Sequence, residues 1–200
     1  MDMFKSAGCF VIDGGPTMNP SINQIIEAIS DIPENDIIIL PNNPNCLLVC
    51  QQVCQISDKN IRILDTYDVS EGLMYLNHYD PLKNIDELVE RFEKFKEEQL
   101  SVQISKATRD AVLSGKKVRC ADWMSIARTG LIDNDRDFSL LIKKLSYLSK
   151  DKKHLTVIRG LDEVTDFEDD IYEYIRESFN IESDFIYGGQ PNYPIILSLQ

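Results

Sequence analysis

Positive charge is scarce in this 200-residue sequence: 21 Lys and Arg stand against 33 Asp and Glu, a formal net charge of −12. So acidic a chain lacks the basic face that meets nucleic-acid phosphates. It equally lacks the Lys and Arg clusters drawn to anionic membranes. Long apolar runs are missing too, none approaching the ~18 residues that span a bilayer. The start, Met1-Asp2-Met3-Phe4-Lys5-Ser6, has neither the basic beginning nor the apolar stretch of a signal peptide. These absences predict a cytoplasmic chain with no nucleic-acid partner and no membrane insertion. Gly-Lys-Ser/Thr, G-x-G-x-x-G and G-x-S-x-G are all absent, which excludes a Walker P-loop, a dinucleotide fingerprint and a nucleophile elbow. The two histidines, His78 and His154, have no evident nucleophile beside them; His78 reads as a surface cap at a helix end and His154 as exposed.

Cysteine is sparse and odd in number, at five. Cys46, Cys50 and Cys54 recur at i, i+4, i+8, which lines up one helix face. Small buried hydrophobes in a reducing compartment explain that spacing better than a metal or redox site, since the tight CxxC hook is absent and no His lies near. No cofactor and no metal is expected in this chain.

What is present is an ordinary globular composition, 43% hydrophobic and 27% charged. The first hundred residues alternate apolar runs with amphipathic segments. Cys9–Ile12 reads as a strand ending in Asp13-Gly14-Gly15. Ser21 with Gln24 forms a capping box for a helix to about Ile32. Ile37–Leu40 is a continuous apolar tetrad, as in a strand covered on both faces, and ends at Pro41-Asn42-Asn43-Pro44. A cysteine-bearing helix follows from Asn45 to Ser57, then a strand at Ile61–Leu64 ending in Asp65-Thr66, then a helix from Val69 to Asn77. This β-α-β-α-β-α order predicts a parallel sheet with helices on its faces. A charged helix over 85–100 leads to a second half that mixes strands and helices. Its strands are expected at 102–105, 110–113, 154–160, 184–187 and 195–199, and its helices at 137–149 and 165–179. The fold class expected is α/β: a parallel-sheet, three-layer N-terminal domain over residues 1–100, followed by a smaller α+β domain over 101–200.

In open α/β sheets, ligands sit outside the carboxyl ends of the strands. Three such ends are polar here: Asp13 to Ser21, Pro41 to Asn43, and Asp65-Thr66. Gly14 and Gly15 permit a tight turn, Thr17, Asn19, Asn42 and Asn43 offer short polar side chains, and a helix N-terminus adds amide donors. Capping and turning explain each residue singly, while their alignment points to one polar site. Gly188, Gly189 and Gln190 form a second candidate surface. The acidic run Asp162, Glu163, Asp166, Glu168, Asp169 and Asp170 suits a helix N-terminal turn better than a divalent-metal site. An alternative reading makes the crevice that of a small-molecule or phosphate-handling enzyme, with Asp13 or Asp65 as acid or base. It requires one of them buried and perturbed.

These residues carry a family likeness. GGPTMNPS at 14–21 resembles the GGQTMNPS motif of bacterial fatty-acid kinases, the dihydroxyacetone-kinase-like or "Dak phosphatase" proteins. ILPNNPN at 39–45, YDVSEGLMYL at 67–76 and the closing YGGQPNYPIILSLQ at 187–200 are similar to further segments of that family, in the same order. The middle, about 118–153, matches poorly, and Pro16 stands where the family has Gln. The resemblance implies that an N-terminal helical domain binds Mg-ATP. It also implies that the following α/β regions support dimerisation and engage a DegV-type protein carrying the fatty acid. Because the chain begins at the GG motif, the ATP-binding kinase domain is expected in another segment or another chain. The function implied for residues 1–200 is a non-catalytic dimerisation and partner-docking region.

Overall fold

The computed structural model describes residues 2–162, 164 and 170–200. It divides into two compact units, Met1–Glu98 and Gln99–Gln200. The fold is α/β, with parallel and antiparallel pairings and seven α-helices among the described residues.

The first unit opens with a one-turn helix, α1 (Asp2–Ser6), and a 3₁₀ turn at Gly15–Thr17. Helix α2 (Ile22–Ser30) starts at Ser21, where the capping box forms as expected: Gln24 N–H donates to Ser21 Oγ at 3.3 Å, and Ser21 N–H to Gln24 Oε1 at 2.8 Å. Strands β1 (Asp36–Ile39) and β2 (Asn60–Ile63) pair in parallel, with Ile37 opposite Ile61. Helix α3 (Leu47–Ile56) is the crossover between them, and α4 (Val69–Asn77) and α5 (Ile85–Glu98) follow.

The apolar tetrad at Ile37–Leu40 serves two cores because strand side chains alternate. Ile37 and Ile39 join Ile25, Ile29, Cys50 and Val53 of α2 and α3. Ile38 and Leu40 join Met74, Tyr75 and Phe92 of α4 and α5.

The expected three-stranded parallel sheet is realised only in part. Cys9–Ile12 makes no ladder, and the parallel sheet of this unit has two strands. Phe10 is 63% exposed, while Ile12 packs against the α2–α3 core. That short apolar run reflects burial against helices, which periodicity over four residues does not distinguish from a strand.

The second unit carries the larger sheet, so it is not the lesser of the two. Strands β3 (Leu100–Lys106), β4 (Ala111–Leu113), β5 (Lys116–Val118), β6 (Trp123–Ala127) and β7 (Gly130–Asp135) come first. Helix α6 (Phe138–Leu145), β8 (His154–Arg159), α7 (Ile171–Phe179), β9 (Glu182–Tyr187) and β10 (Ile195–Leu199) follow. The six-stranded sheet has the order β7-β6-β3-β10-β8-β9, antiparallel except for β8 with β9, and β4–β5 is a separate hairpin. One face of the sheet, including Val102, Ile104, Val157 and Leu197, packs on Leu141, Ile142, Ile175 and Phe179 of α6 and α7.

The last two strands do not pair with each other, because β8 lies between them. The 188–194 segment therefore has to cross the carboxyl end of β8. The expected helix at 165–179 is α7 from Ile171 onward; residues 165–169 lie outside the described residues.

Candidate functional site

The carboxyl ends of β1 and β2 bring the three polar loops of the first unit together. After β1 the chain turns through Asn42 at φ 52°, a left-handed conformation that Asn tolerates better than most residues. Asn42 N–H donates to Thr66 Oγ1 at 2.8 Å, joining the loop after β1 to the loop after β2. The next residue reaches the other way. Asn43 Nδ2 donates to the Met18 carbonyl at 3.1 Å and lies 3.4 Å from Asn19 Oδ1, while its Oδ1 accepts Asn45 N–H at 3.0 Å. Cys46 Sγ also lies 3.2 Å from the Met18 carbonyl. Two adjacent asparagines thus fasten the glycine loop on one side and the Asp65-Thr66 loop on the other.

The glycine loop is a closed turn in its own right. Gly15 N–H donates to Asp13 Oδ1 at 2.8 Å, Asn19 N–H to the Gly14 carbonyl at 3.1 Å, and Asn19 Nδ2 to the Thr17 carbonyl at 2.7 Å. A Cβ on Gly14 would lie 2.5 Å from the carbonyl carbon of Met18, so this position admits only glycine. Gly15, Pro16, Thr17 and Asn19 are exposed, whereas Gly14, Asn42 and Asn43 are half-buried. The first group forms the accessible rim and the second forms its base.

Thr66, from the polar Asp65-Thr66 end, and residues that the sequence did not single out as a site support that base. Thr66, Asp68, Ser70 and Glu71 are all buried. Asp68 Oδ1 caps α4 by accepting Ser70 N–H at 2.9 Å, and Glu71 Oε2 accepts Tyr67 N–H at 2.7 Å. Gly72 leaves room for the Asn42 side chain, whose Oδ1 would lie 2.4 Å from a Cβ at that position. The D-x-S-E spacing of 68–71 was the available signal, being that of a helix start.

The acid or base required by an enzymatic reading does not fall on the two named aspartates. Asp13 is exposed and bonded within its own turn, and Asp65 is half-buried and paired with Lys96 at 3.4 Å. Of the cysteine stripe, Cys46 and Cys50 are buried and Cys54 is half-buried, and burial, reinforced by the flanking Cys46 and Cys54, pushes the Cys50 thiol up to about 11. His78 closes α4, with Nδ1 2.9 Å from the Met74 carbonyl, and stacks on Phe95. His154 is half-buried, 3.3 Å from Asp184. Among the described residues, no group of three or more His, Cys, Asp or Glu is placed to hold a metal ion. Of the acidic run, Glu163, Asp166, Glu168 and Asp169 lie outside those residues.

In the second unit, Gly188, Gly189 and Gln190 lie at the carboxyl end of the β8–α7–β9 crossover. Gly188 and Gly189 N–H groups both donate to the Arg159 carbonyl, at 2.9 and 3.2 Å. Gln190 is only 4% exposed, and its Nε2 donates to the Ile158 and Tyr193 carbonyls at 3.3 and 3.0 Å. Gly160 passes so close that a Cβ there would lie 2.3 Å from the Tyr193 carbonyl oxygen. Gln190 acts as a staple for this crossing loop, and Gly189 is the more accessible of the three.

Residues 1–200 match the C-terminal family of FakA-like fatty acid kinases. An uncharacterized protein of Staphylococcus haemolyticus is 28% identical, and protein YloV of Bacillus subtilis 26% identical, each over 203 aligned residues covering 100% of this chain. The chain spans 37% of the length of each of these relatives. The fold is similar to that of the Streptococcus pneumoniae fatty acid kinase B3 protein, solved with linoleic acid. The TM-score is 0.61 at 14% identity, covering 91% of this chain and 76% of that one. A DegV family protein of Eubacterium eligens, solved with heptadecanoic acid, gives a TM-score of 0.60 at 13% identity, covering 90% and 78%. At such identities the likeness establishes a DegV-like fold.

Proposed function

The chain belongs to the FakA-like C-terminal family of fatty acid kinases, and from that membership we propose that it is a non-catalytic docking region for a DegV-type fatty-acid-binding protein. The contact surface is the rim of the first unit, centred on Gly15, Thr17 and Asn19 and held by Asn42 and Asn43. Gly189 marks a secondary surface on the other unit. The chain itself needs no cofactor, and an ATP-binding kinase domain acts from elsewhere in the same protein or from another chain.

The observation that carries this reading is the pair of asparagines. They use hydrogen bonds between neutral groups to lock three loops into one shape, while the outward groups of the rim stay exposed. Rigid loops on a fixed scaffold lower the ordering cost of association. The two aspartates at the rim serve turn and ion pair rather than a reacting centre.

The test is size-exclusion chromatography with light scattering, on the purified chain mixed with its host's DegV-type protein loaded with a fatty acid. Co-elution is expected, with loss of the complex for the double substitution Thr17→Arg and Asn19→Arg. A failure to co-elute, or a complex indifferent to that double substitution, overturns the proposal.

A further inference from the structure

Charge is spread unevenly along the chain. Residues 106–128 carry six Lys and Arg against two Asp and no Glu, in a chain whose total is −12. The whole-chain balance, which opposes an anionic surface, therefore conceals one basic stretch. Its two acids are both engaged. Asp122 is buried and accepts Arg119 N–H at 2.8 Å, and Asp110 accepts Cys120 N–H at 2.7 Å.

The β4–β5 hairpin displays this stretch. Its turn, Ser114 at φ 49° and Gly115 at φ 76°, has the two left-handed residues of a type I′ turn. Ser114 Oγ accepts Leu131 N–H at 3.0 Å, which holds the tip against β7. The inner face, at Val118, is buried with Ala107 and Leu131, beside Met124 and Ile126. That is the side of the sheet opposite α6 and α7, because Trp123 and Ile132, the neighbours of Met124 and Leu131, join the α6–α7 core. Val112 and its cross-strand partner Lys117 share the outward face. Val112 is 69% and Leu113 37% exposed. Arg109, Lys117 and Arg119 are exposed, and their side chains make no hydrogen bond or ion pair among the described residues. Lys116 differs, being engaged by the Ile132 carbonyl and, at 3.6 Å, by Asp133.

We propose that this hairpin is a peripheral contact for an anionic lipid bilayer. Val112 and Leu113 seat at the headgroup boundary, and Arg109, Lys117 and Arg119 meet the lipid phosphates. Exposed apolar and cationic side chains stand next to each other here, and a bilayer surface offers hydrocarbon and phosphate together. The acidic edge of this unit lies elsewhere. Glu182 and Asp184 of β9 are exposed five strand spacings from β7, roughly 24 Å away. That is more than two Debye lengths of ~10 Å at 0.1 M salt, so their repulsion is screened when the hairpin faces the lipid. Each cation near an anionic membrane strengthens binding about fivefold. Three cations and two small apolar side chains give a reversible, oriented contact without a spanning segment.

Vesicle flotation tests this, comparing mixed phosphatidylglycerol–phosphatidylcholine vesicles with phosphatidylcholine alone. The wild-type chain is expected to float with the anionic vesicles and not with the neutral ones. The triple substitution Arg109→Gln, Lys117→Gln and Arg119→Gln is expected to weaken binding roughly a hundredfold. It changes exposed side chains without partners, so the fold is kept. Val112→Asp is expected to weaken binding as well. A control triple, Lys150→Gln, Lys152→Gln and Lys153→Gln, makes the same change in net charge within the same unit and is expected to keep most of the binding. A chain that floats with neither vesicle, or equally with both, overturns the proposal. So does equal loss from the two triples, or a folded Val112→Asp that binds as the wild type does. Capture of fluorescent polyglutamate by a chain that binds no anionic vesicle assigns the hairpin to an acidic polypeptide, and equally overturns the bilayer contact.

Discussion

At the scale of single residues, Asn43 and Gly160 bear the most structural responsibility. Replacing Asn43 with Ala removes a donor to the Met18 carbonyl and an acceptor for Asn45 N–H. The expected cost is about 1–2 kcal/mol, by the usual net worth of such bonds, read as a lower urea midpoint with an unchanged slope. Gly160 allows no Cβ, because the obstructing atoms, the carbonyl oxygens of Gln190 and Tyr193, belong to the backbone and cannot swing aside. Gly160→Ala is expected to cost about 2–3 kcal/mol, as overpacking of a close backbone contact does. The same denaturation series checks it.

Some of this was legible in the sequence. The Ser21–Gln24 box was readable because capping depends on neighbours along the chain. The tie between Asn42 and Thr66 was not, since it joins residues 24 positions apart whose loops meet only after β1 and β2 pair. Gln190 was read as surface, yet its amide points inward, because the crossing loop requires donors for the Ile158 and Tyr193 carbonyls.

At the scale of elements, long periodic segments were readable and short apolar runs were not. The boundaries of α4, Val69–Asn77, were evident from its cap and stripe. Cys9–Ile12 was misjudged as a strand, because a short apolar run does not show whether a strand lies alongside. Helix α3 supplies a pH prediction. The Cys50 thiol, raised to about 11 from 9.0 by burial, keeps its proton in the folded state at pH values where the unfolded chain loses it. The stability linked to that proton is therefore complete below about pH 9 and is lost as pH rises through about 11. Thermal melts between pH 8 and 11 are expected to show a decline that Cys50→Ala reduces, after allowance for that variant's lower starting stability. A matching thiol assay at pH 8 should label the exposed Cys120 rapidly and Cys46 and Cys50 only on unfolding.

At the scale of the whole molecule, acidity argues against nucleic-acid and anionic-membrane partners without choosing a function. Among the described residues, no helix is long and apolar enough to cross a membrane. Of the family motifs, 39–45 leaves β1 and 187–194 leaves β9 at the carboxyl ends of parallel strands, whereas 14–21 follows Cys9–Ile12, which forms no strand, and is a closed turn. Their local roles follow from turn and cap chemistry. Within the first unit, the meeting of 14–21, 39–45 and Asp65-Thr66 depends on the parallel pairing of β1 with β2, which the β-α-β order predicted; within the second, the turn at 188–190 depends on the pairing of β8 with β9.

The central claim is that the rim of the first unit is where a DegV-type partner docks. Hydrogen–deuterium exchange of the chain, with and without its fatty-acid-loaded DegV-type protein, tests it most directly. Slower exchange on binding at residues 14–19 and 42–45 is the predicted result. Unchanged exchange there, in a mixture shown to form the complex, would contradict the account.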